Sequence, residues 1–147
     1  MSDFKKSDAQ IIQALRSKGY KATPQRIAIC RFALCSKEHP SAQKVYSEVK
    51  KLHPTVSLST VYKTLQVLKE LGMLQELTSS LSQTRFDPNV KLHINLVCVQ
   101  CGTIADVDDP VGRELVRRIA GSADFTVTEH HLDVYGVCRK CKTKAKA

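Results

Sequence analysis

The sequence lacks the features of membrane-spanning, secreted and repeat proteins. No apolar run is long enough to cross a bilayer, and no apolar segment follows the first residues as in a signal peptide. No segment repeats along the chain. We therefore expect a cytoplasmic protein, in a compartment where disulfides are rare.

Acidic residues are also scarce. The 147 residues include 14 Asp and Glu against 23 Lys and Arg, which gives a net charge of +9. Such an excess favours a polyanionic partner, although a basic surface without one stays open as the alternative. Hydrophobic residues make up 42% of the chain and charged residues 25%, which is ordinary for a folded protein. A domain made of half of this chain would bury little surface by itself. We therefore expect it to be stabilised by a cross-link such as a structural metal ion, or by an oligomer partner.

Six cysteines need an explanation other than disulfides. Four of them form two CxxC pairs, Cys98 with Cys101 and Cys138 with Cys141. Two such pairs are typical of a tetrahedral Zn²⁺ site, because each pair supplies two thiolates from one tight turn. Four thiolates close the site, so we interpret it as structural. Redox use of either pair is the alternative, disfavoured because no thioredoxin-like βαβ pattern surrounds it.

Capping residues and helical spacing predict four helices in the first half of the chain. They are predicted over 8–18, from Thr23-Pro24 to His39-Pro40, from Ser41 to Pro54, and over 57–71, with Ser57 or Ser59 as the last cap. Leu52 is expected on a buried face, and Cys30 and Cys35 as buried, inert thiols. Extended segments at 73–78 and 84–86 around a polar turn at 79–82 predict a β-hairpin. This order is typical of a winged helix-turn-helix, although many small α+β domains share it.

Beyond a predicted hinge at 87–92 the apolar pattern changes to a period of two. It predicts strands at 93–99, 103–107, 125–127 and 132–137, a helix at 111–120, and a basic tail that is disordered beyond Cys141. The predicted fold class is therefore α+β, with a winged-helix domain over 1–86 and a zinc-stapled α/β domain over 93–147.

The fourth helix is the candidate recognition helix, since a winged helix inserts one helix into the major groove. Thr60 and Tyr62 are candidate base contacts, and Lys63 is a candidate phosphate contact. Arg26 can contact phosphate or guanine, and Lys21 can attract the DNA phosphates whatever the base sequence. For each lysine the alternative is a solvated surface charge, and Tyr62 can instead pack over the core.

Four further residues carry metal-binding side chains around the predicted hinge. They are His39, Asp87, His93 and Asp106. A mixed set of histidine and aspartate suits Fe²⁺, Mn²⁺ or Zn²⁺. The residues are far apart in sequence, so spacing alone does not bring them together, and ordinary surface groups are the favoured alternative at this point.

Taken together, these motifs resemble those of the ferric uptake regulator family over nearly the whole chain. The matching pieces are ATPQR at 22–26, HPSAQKVY at 39–46, SLSTVYKTL at 57–65, LGMLQEL at 71–77, RFD at 85–87, HINLVCVQCG at 93–102 and HHLDVYGVCRKC at 130–141. The resemblance implies a homodimeric repressor with a C-terminal dimerisation domain that binds AT-rich inverted repeats in DNA. It implies structural zinc on the four paired cysteines and a regulatory Fe²⁺ or Mn²⁺ site on His39, Asp87, His93, Asn95 and Asp106.

Asn95 departs from the family, which usually has histidine at this position. If its carbonyl oxygen binds the ion, the site is harder and favours Mn²⁺ or Fe²⁺ over Zn²⁺. If it does not bind, the site is four-coordinate and weaker. Carboxylates at Asp87 and Asp106 resemble the peroxide-sensing branch, whose ferrous iron oxidises ligand histidines. A zinc-uptake regulator and a constitutive DNA-binding protein with a degenerate sensor are the alternatives. An enzyme with a zinc-bound water is disfavoured, because a site with four cysteine ligands leaves no open position.

Overall fold

The computed structural model describes residues 6–78, 83–128 and 130–145. These residues form two compact units, the first made of 6–78 with 83–90 and the second of 91–128 with 130–145. The polar turn predicted at 79–82 lies outside the described residues.

Four helices build most of the first unit. They are α1 (Asp8–Ser17), α2 (Pro24–Cys35), α3 (Ala42–Leu52) and α4 (Leu58–Glu70). Each follows a Ser or Thr whose side chain accepts a hydrogen bond from the backbone N–H three residues later. The caps predicted at Thr23 and Ser41 are confirmed, and Ser57 rather than Ser59 caps α4.

The core of this unit joins the apolar faces of the four helices to a β-hairpin. Its fully buried side chains include Leu15 of α1, Ile29 of α2, Val45 of α3 and Leu65 of α4. Truncating one of these leucines to alanine costs about 2–5 kcal/mol, because a cavity is left behind. The four helices are therefore held by packing rather than by their own propensity.

The predicted hairpin is confirmed as β1 (Gln75–Thr78) paired antiparallel with β2 (Thr84–Asp87); we call it the wing. Gln75 lies opposite Asp87 and Thr78 opposite Thr84. The backbone N–H of Phe86 donates to the carbonyl of Pro40 at 3.0 Å. The wing thereby holds the loop between α2 and α3.

The second unit is a three-stranded sheet with two helices. Its elements are β3 (Ile94–Cys98), β4 (Ile104–Val107), α5 (Pro110–Ser122), β5 (Leu132–Gly136) and α6 (Arg139–Ala145). The strand order is β4-β3-β5, with β3 antiparallel to β4 and parallel to β5. Helix α5 approaches the sheet closely at Gly112, where a Cβ would lie 3.2 Å from Leu132 Cδ1 and 3.4 Å from Ile94 Cγ1. The predicted α+β class is confirmed.

Three predictions in the first unit are wrong. Helix α2 ends at Cys35, before His39-Pro40. Cys35 is exposed at that end, whereas Cys30 is buried as predicted, and burial raises the pKa of the Cys30 thiol to about 12. Leu52 is 81% exposed, because it is the last residue of α3 and lies beyond the helix's contact with the core.

Two predictions in the second unit are also wrong. Residues 125–127 form no strand, since the described sheet contains only β3, β4 and β5. The basic tail is helical in α6 as far as Ala145, where Lys, Arg and Ala are good helix formers. Among the described residues, no helix has both the length and the apolar character needed to cross a membrane.

Candidate metal sites and nucleic-acid interface

The four paired cysteines come from the carboxyl ends of two neighbouring strands. Cys98 is the last residue of β3, and Cys101 lies in the turn that leads to β4. Cys138 follows β5 and Cys141 lies on α6. Because β3 and β5 are parallel, with Cys98 beside Gly136, both CxxC turns lie at the same edge of the sheet.

The geometry of these thiols fits a tetrahedral metal ion. The Sγ atoms of Cys98 and Cys141 are 3.9 Å apart, and those of Cys101 and Cys138 are 3.7 Å apart. All four lie within 4.8 Å of one another. Ligands about 2.3 Å from a tetrahedral zinc are separated by about 3.8 Å. The spacing therefore matches four zinc ligands, and all four cysteines are free of disulfides.

The surroundings of the thiols lower the pKa of Cys98 and raise the pKa of Cys141. The backbone N–H groups of Cys138 and Cys101 lower the pKa of Cys98 to about 6, the first of them over 3.3 Å. Hydrogen bonding to Cys138 raises the pKa of Cys141 to about 12. A zinc ion would bind the cysteines as thiolates and displace their protons.

His39 and Asp87 form one ligand pair within the first unit. Their Nε2 and Oδ2 atoms are 3.3 Å apart, and the side chains are only 4% and 2% exposed. His39 lies in the loop after α2, and Asp87 is the last residue of the wing. Two buried groups of these types can supply one nitrogen and one oxygen ligand to a metal.

The backbone of His39 is held in an uncommon conformation by the wing. Its φ is 50°, in the left-handed region that few non-glycine residues adopt. The guanidinium of Arg85 donates to the carbonyl of His39 through Nε and to that of Glu38 through Nη2, the latter over 2.9 Å. Arg85 and Asp87 are two residues apart on β2. The same strand therefore carries one candidate ligand, Asp87, and positions the other, His39.

His93, Asn95 and Asp106 form a second ligand group within the second unit. His93 directly precedes β3, and Asn95 lies opposite Asp106 in the register of β3 and β4. The Nε2 of His93 is 3.0 Å from Asn95 Oδ1 and 3.5 Å from Asp106 Oδ1. His93 and Asn95 are buried. The three predicted residues therefore converge.

The hydrogen bonds of this group direct lone pairs toward one point. The Nδ1 of His93 lies 2.7 Å from the carbonyl oxygen of Lys91, which can only accept, so Nδ1 carries the proton. A neutral imidazole then presents the lone pair of Nε2 to two oxygen atoms. Such an arrangement requires a cation among the three atoms, either a proton on Nε2 or a metal ion.

Lys21 and Arg26 lie at the amino end of α2. The Nη1 of Arg26 donates to the carbonyl of Lys21 at 3.0 Å, and its guanidinium lies 5.3 Å from the centre of the Tyr20 ring. Gln25 Nε2 donates to Thr55 Oγ1 at 2.8 Å, just before α4 begins. The amino ends of α2 and α4 are therefore neighbours.

Thr60, Tyr62 and Lys63 all lie on α4, and the last two are exposed. The hydroxyl of Thr60 is 2.9 Å from that of Ser57 at the helix cap, so it already has a partner. The phenol oxygen of Tyr62 accepts from Gln43 Nε2 at 3.1 Å. Tyr62 is 46% exposed, which favours a surface role over packing in the core.

Three supporting residues were missed by sequence reasoning: Arg85, Asp133 and Gln43. Asp133 Oδ1 accepts from Asn95 Nδ2 at 2.9 Å. Each of the three acts on a predicted site residue from a distant part of the chain. The only local signal was the position of Arg85 in the RFD motif, two residues before Asp87.

Comparisons with known proteins show the family and the fold of this chain. The model of the ferric uptake regulator family matches residues 17–135. The peroxide-responsive repressor PerR of Staphylococcus aureus is 40% identical over 133 residues, covering 90% of each chain. The crystal structure of the Campylobacter jejuni peroxide stress regulator is 33% identical, with a TM-score of 0.74 over 89% of this chain and 98% of that one. The Helicobacter pylori ferric uptake regulator shares the fold, with a TM-score of 0.80 at 20% identity over 94% of this chain and 95% of that one. The family model matches most of the present chain, and PerR is 40% identical to it over 90% of its length. The chain therefore belongs to the ferric uptake regulator family.

Proposed function

We propose that this protein is a metal-dependent transcriptional repressor that binds DNA as a homodimer in the cytoplasm and has no enzymatic activity. Family membership and the names of its relatives, a peroxide-responsive repressor and a peroxide stress regulator, support this function. The observation that carries it is the convergence of His93 Nε2, Asn95 Oδ1 and Asp106 Oδ1, which calls for a cation. A repressor with such a site can respond to the metal content of the cell.

In this proposal Zn²⁺ is structural and is held by Cys98, Cys101, Cys138 and Cys141. Its support is the pair of Sγ separations, 3.9 and 3.7 Å, which match a tetrahedral zinc. A closed site of four thiolates supplies folding free energy and no open position for chemistry.

The regulatory ion takes His39 and Asp87 from one unit and His93, Asn95 and Asp106 from the other. This set contains two imidazole nitrogens and three oxygens, which suits Fe²⁺ or Mn²⁺ better than a set richer in nitrogen or sulfur. With Fe²⁺ bound, His39 would be a target of peroxide oxidation, as the peroxide-responsive relative suggests. A zinc-uptake regulator remains the second candidate, since imidazole and carboxylate also bind Zn²⁺.

DNA binding is assigned to the first unit, with α4 as the recognition helix. Tyr62 and Thr60 would face bases, and Lys63 would contact phosphate. Arg26 and Lys21, at the neighbouring amino end of α2, would contact the backbone. The support is their shared surface beside exposed helix amino ends, which attract phosphate.

Dimerisation is assigned to the second unit. Val111, Leu115 and Ile119 recur every four residues along α5 and are 70%, 46% and 60% exposed. Strand β5 is paired only with β3 among the described strands, and it exposes Val134 and Tyr135. Exposed apolar side chains on a helix and an open strand edge are features of a surface that a partner covers.

The proposed switch depends on one ion taking ligands from both units. With a winged-helix domain over 1–86 and a dimerisation domain over 93–147, the segment 87–92 would act as a hinge. Metal binding would select one arrangement of the two winged helices of a dimer and so favour DNA half-sites of matching spacing. Loss of the metal, or oxidation of a ligand histidine, would release this selection.

A metal titration of DNA binding tests the proposal. Zinc-loaded protein would be titrated with Mn²⁺ while its binding to a duplex with an AT-rich inverted repeat is followed by fluorescence anisotropy, with a scrambled duplex for comparison. We expect one Mn²⁺ per chain and tighter binding to the repeat. His39→Ala should lose the response, whereas His53→Ala, in the same unit but outside the ligand set, should keep it. Equal DNA affinity with and without Mn²⁺ would overturn the regulatory function.

Peroxide sensing has its own test. Protein loaded with Fe²⁺ would be exposed to peroxide and digested for mass spectrometry. Addition of one oxygen atom to the His39 peptide, absent from the Mn²⁺-loaded protein, supports the peroxide-sensing function. An unmodified His39 combined with release from DNA on Zn²⁺ depletion supports the zinc-uptake alternative.

A further inference from the structure

Asp133 is an exposed residue of β5 that contacts Asn95. Asn95 is the candidate ligand at which this chain differs from the usual histidine of its family. It lies beside Asn95 in the parallel register of β3 and β5. Its Oδ1 accepts a hydrogen bond from Asn95 Nδ2 at 2.9 Å. On the other side of Asn95, Oδ1 lies 3.0 Å from His93 Nε2. The amide of Asn95 therefore lies between a carboxylate and an imidazole.

A carboxylate gives this amide one preferred orientation. It accepts hydrogen bonds and donates none, so it favours the NH₂ end of Asn95 and repels the carbonyl oxygen. Rotation of the amide by half a turn would bring oxygen against oxygen at Asp133. It would also present an NH₂ group to the space that His93 and Asp106 share, where a metal needs lone pairs.

We propose that Asp133 is a positioning residue that makes Asn95 an oxygen ligand of the regulatory ion. This inference rests on the proposed regulatory site. By holding Nδ2, the carboxylate directs Oδ1 toward the ion and increases the negative charge on that oxygen by polarising the amide. Asp133 does not touch the ion itself. Its contribution is made through Asn95 alone.

Substitutions at Asp133 separate its hydrogen bond from its charge. Asp133→Leu has a similar shape but accepts no hydrogen bond, whereas Asp133→Asn loses the charge but keeps an oxygen that can accept from Asn95. Glu114→Gln removes one negative charge from an exposed helical residue of the same unit, which pairs with Arg117, and is the control. Mn²⁺ affinity of the zinc-loaded, full-length protein would be measured by electron paramagnetic resonance of free Mn²⁺.

We expect Asp133→Leu to weaken Mn²⁺ binding about 10-fold or more, the range seen when a residue that orients a ligand is removed. Asp133→Asn should also weaken binding, because its amide is neutral and can donate as well as accept, so it no longer favours one orientation of Asn95. Glu114→Gln should match the wild type. A Mn²⁺ affinity for Asp133→Leu equal to that of Glu114→Gln would overturn the positioning role. Zinc content would be measured for each variant, and Asp133→Ala replaces Asp133→Leu if the latter loses zinc.

A double-mutant cycle tests whether Asp133 acts through Asn95. In an Asn95→Ala background, Asp133→Leu should have no further effect on Mn²⁺ affinity. The same loss in both backgrounds would overturn the proposal. If the wild type binds no Mn²⁺ beside its zinc, the proposed function itself fails. If the wild type binds Mn²⁺ and Asp133→Leu binds it equally well, only the role of Asp133 fails.

Discussion

Replacing Arg85 by alanine tests whether the wing holds the loop that carries His39. Arg85 donates to the carbonyls of His39 and Glu38. A hydrogen bond from a charged donor contributes about 1.5–3 kcal/mol. Because Arg85 is only half-buried and the carbonyls would regain water, we take the lower part of the two-bond total. The two-bond total is about 3–6 kcal/mol, so the expected loss is about 3 kcal/mol in the free energy of unfolding.

Urea unfolding of the zinc-loaded protein measures this loss. With a slope of about 1–3 kcal/mol per molar urea, the midpoint should fall by about 1 M or more. Mn²⁺ affinity should fall as well, since the left-handed backbone of His39 is strained and would relax once its carbonyl is released.

Arg31→Ala is the matched control for this experiment. Arg31 also forms two hydrogen bonds through its guanidinium, but to the side chain of Asp8, and the two side chains are 56% and 54% exposed. Water screens such a pair, so its removal should shift the midpoint little. If Arg31→Ala and Arg85→Ala shift the midpoint equally, Arg85 of the wing does not hold the loop that carries His39.

Three further predictions concern the zinc site, the DNA contact and the choice of metal. Cys138→Ser should lose its zinc and the fold of the second unit, as measured by elemental analysis and circular dichroism. Cys35→Ser, which changes an exposed thiol outside the site, should keep one zinc per chain. Full zinc content in Cys138→Ser would contradict the assignment of Cys138 as a zinc ligand. Lys63→Ala should reduce the slope of log K against log salt for DNA binding by about 1.8, because each of the two chains of the dimer loses one phosphate contact worth about 0.9. An unchanged slope would remove Lys63 from the interface. Asn95→His should raise affinity for Zn²⁺ relative to Mn²⁺, because imidazole replaces an amide oxygen; metal competition measures the ratio, and an unchanged ratio would mean that Asn95 is no ligand.

Local signals in the sequence predicted much of this structure. A hydroxyl residue before an apolar run fixes a helix start, because its side chain satisfies an N–H that the helix cannot; Thr23 and Ser41 show this directly. The CxxC spacing brings two thiols into one turn, so Cys98 and Cys101 could be recognised as a pair of candidate zinc ligands from four consecutive residues. The family resemblance then extended these local patterns to the fold class.

The supporting contacts could not be predicted in this way. Arg85 and His39 are 46 residues apart, and Asn95 and Asp133 are 38 residues apart. Their contacts depend on strand register and on the path of a loop, and a shift of one residue would turn Asp133 to the other face of the sheet. The side-chain pattern of β5 does not indicate which of its residues meets Asn95.

Two of the wrong predictions share a physical cause. Apolar spacing indicates which residues share a face, but it does not indicate where that face ends or what covers it. Leu52 continues the stripe of α3 and is exposed because the helix stops there. Phe125 begins an alternating apolar segment, yet it is 68% exposed and lies outside the described sheet.

The two ligand sets of this chain are suited to different tasks by where their residues lie. All four cysteines belong to one unit, so the binding free energy of a zinc ion held by them would stabilise that unit. The five residues proposed for the regulatory ion are divided between the two units. An ion that needs both groups binds more tightly in any state that satisfies them together, and it shifts the population toward that state. Each group is already ordered within its own unit, through Arg85 for His39 and through Asp133 for Asn95. Little of the binding free energy is then lost in ordering ligands, and more of it can select between states.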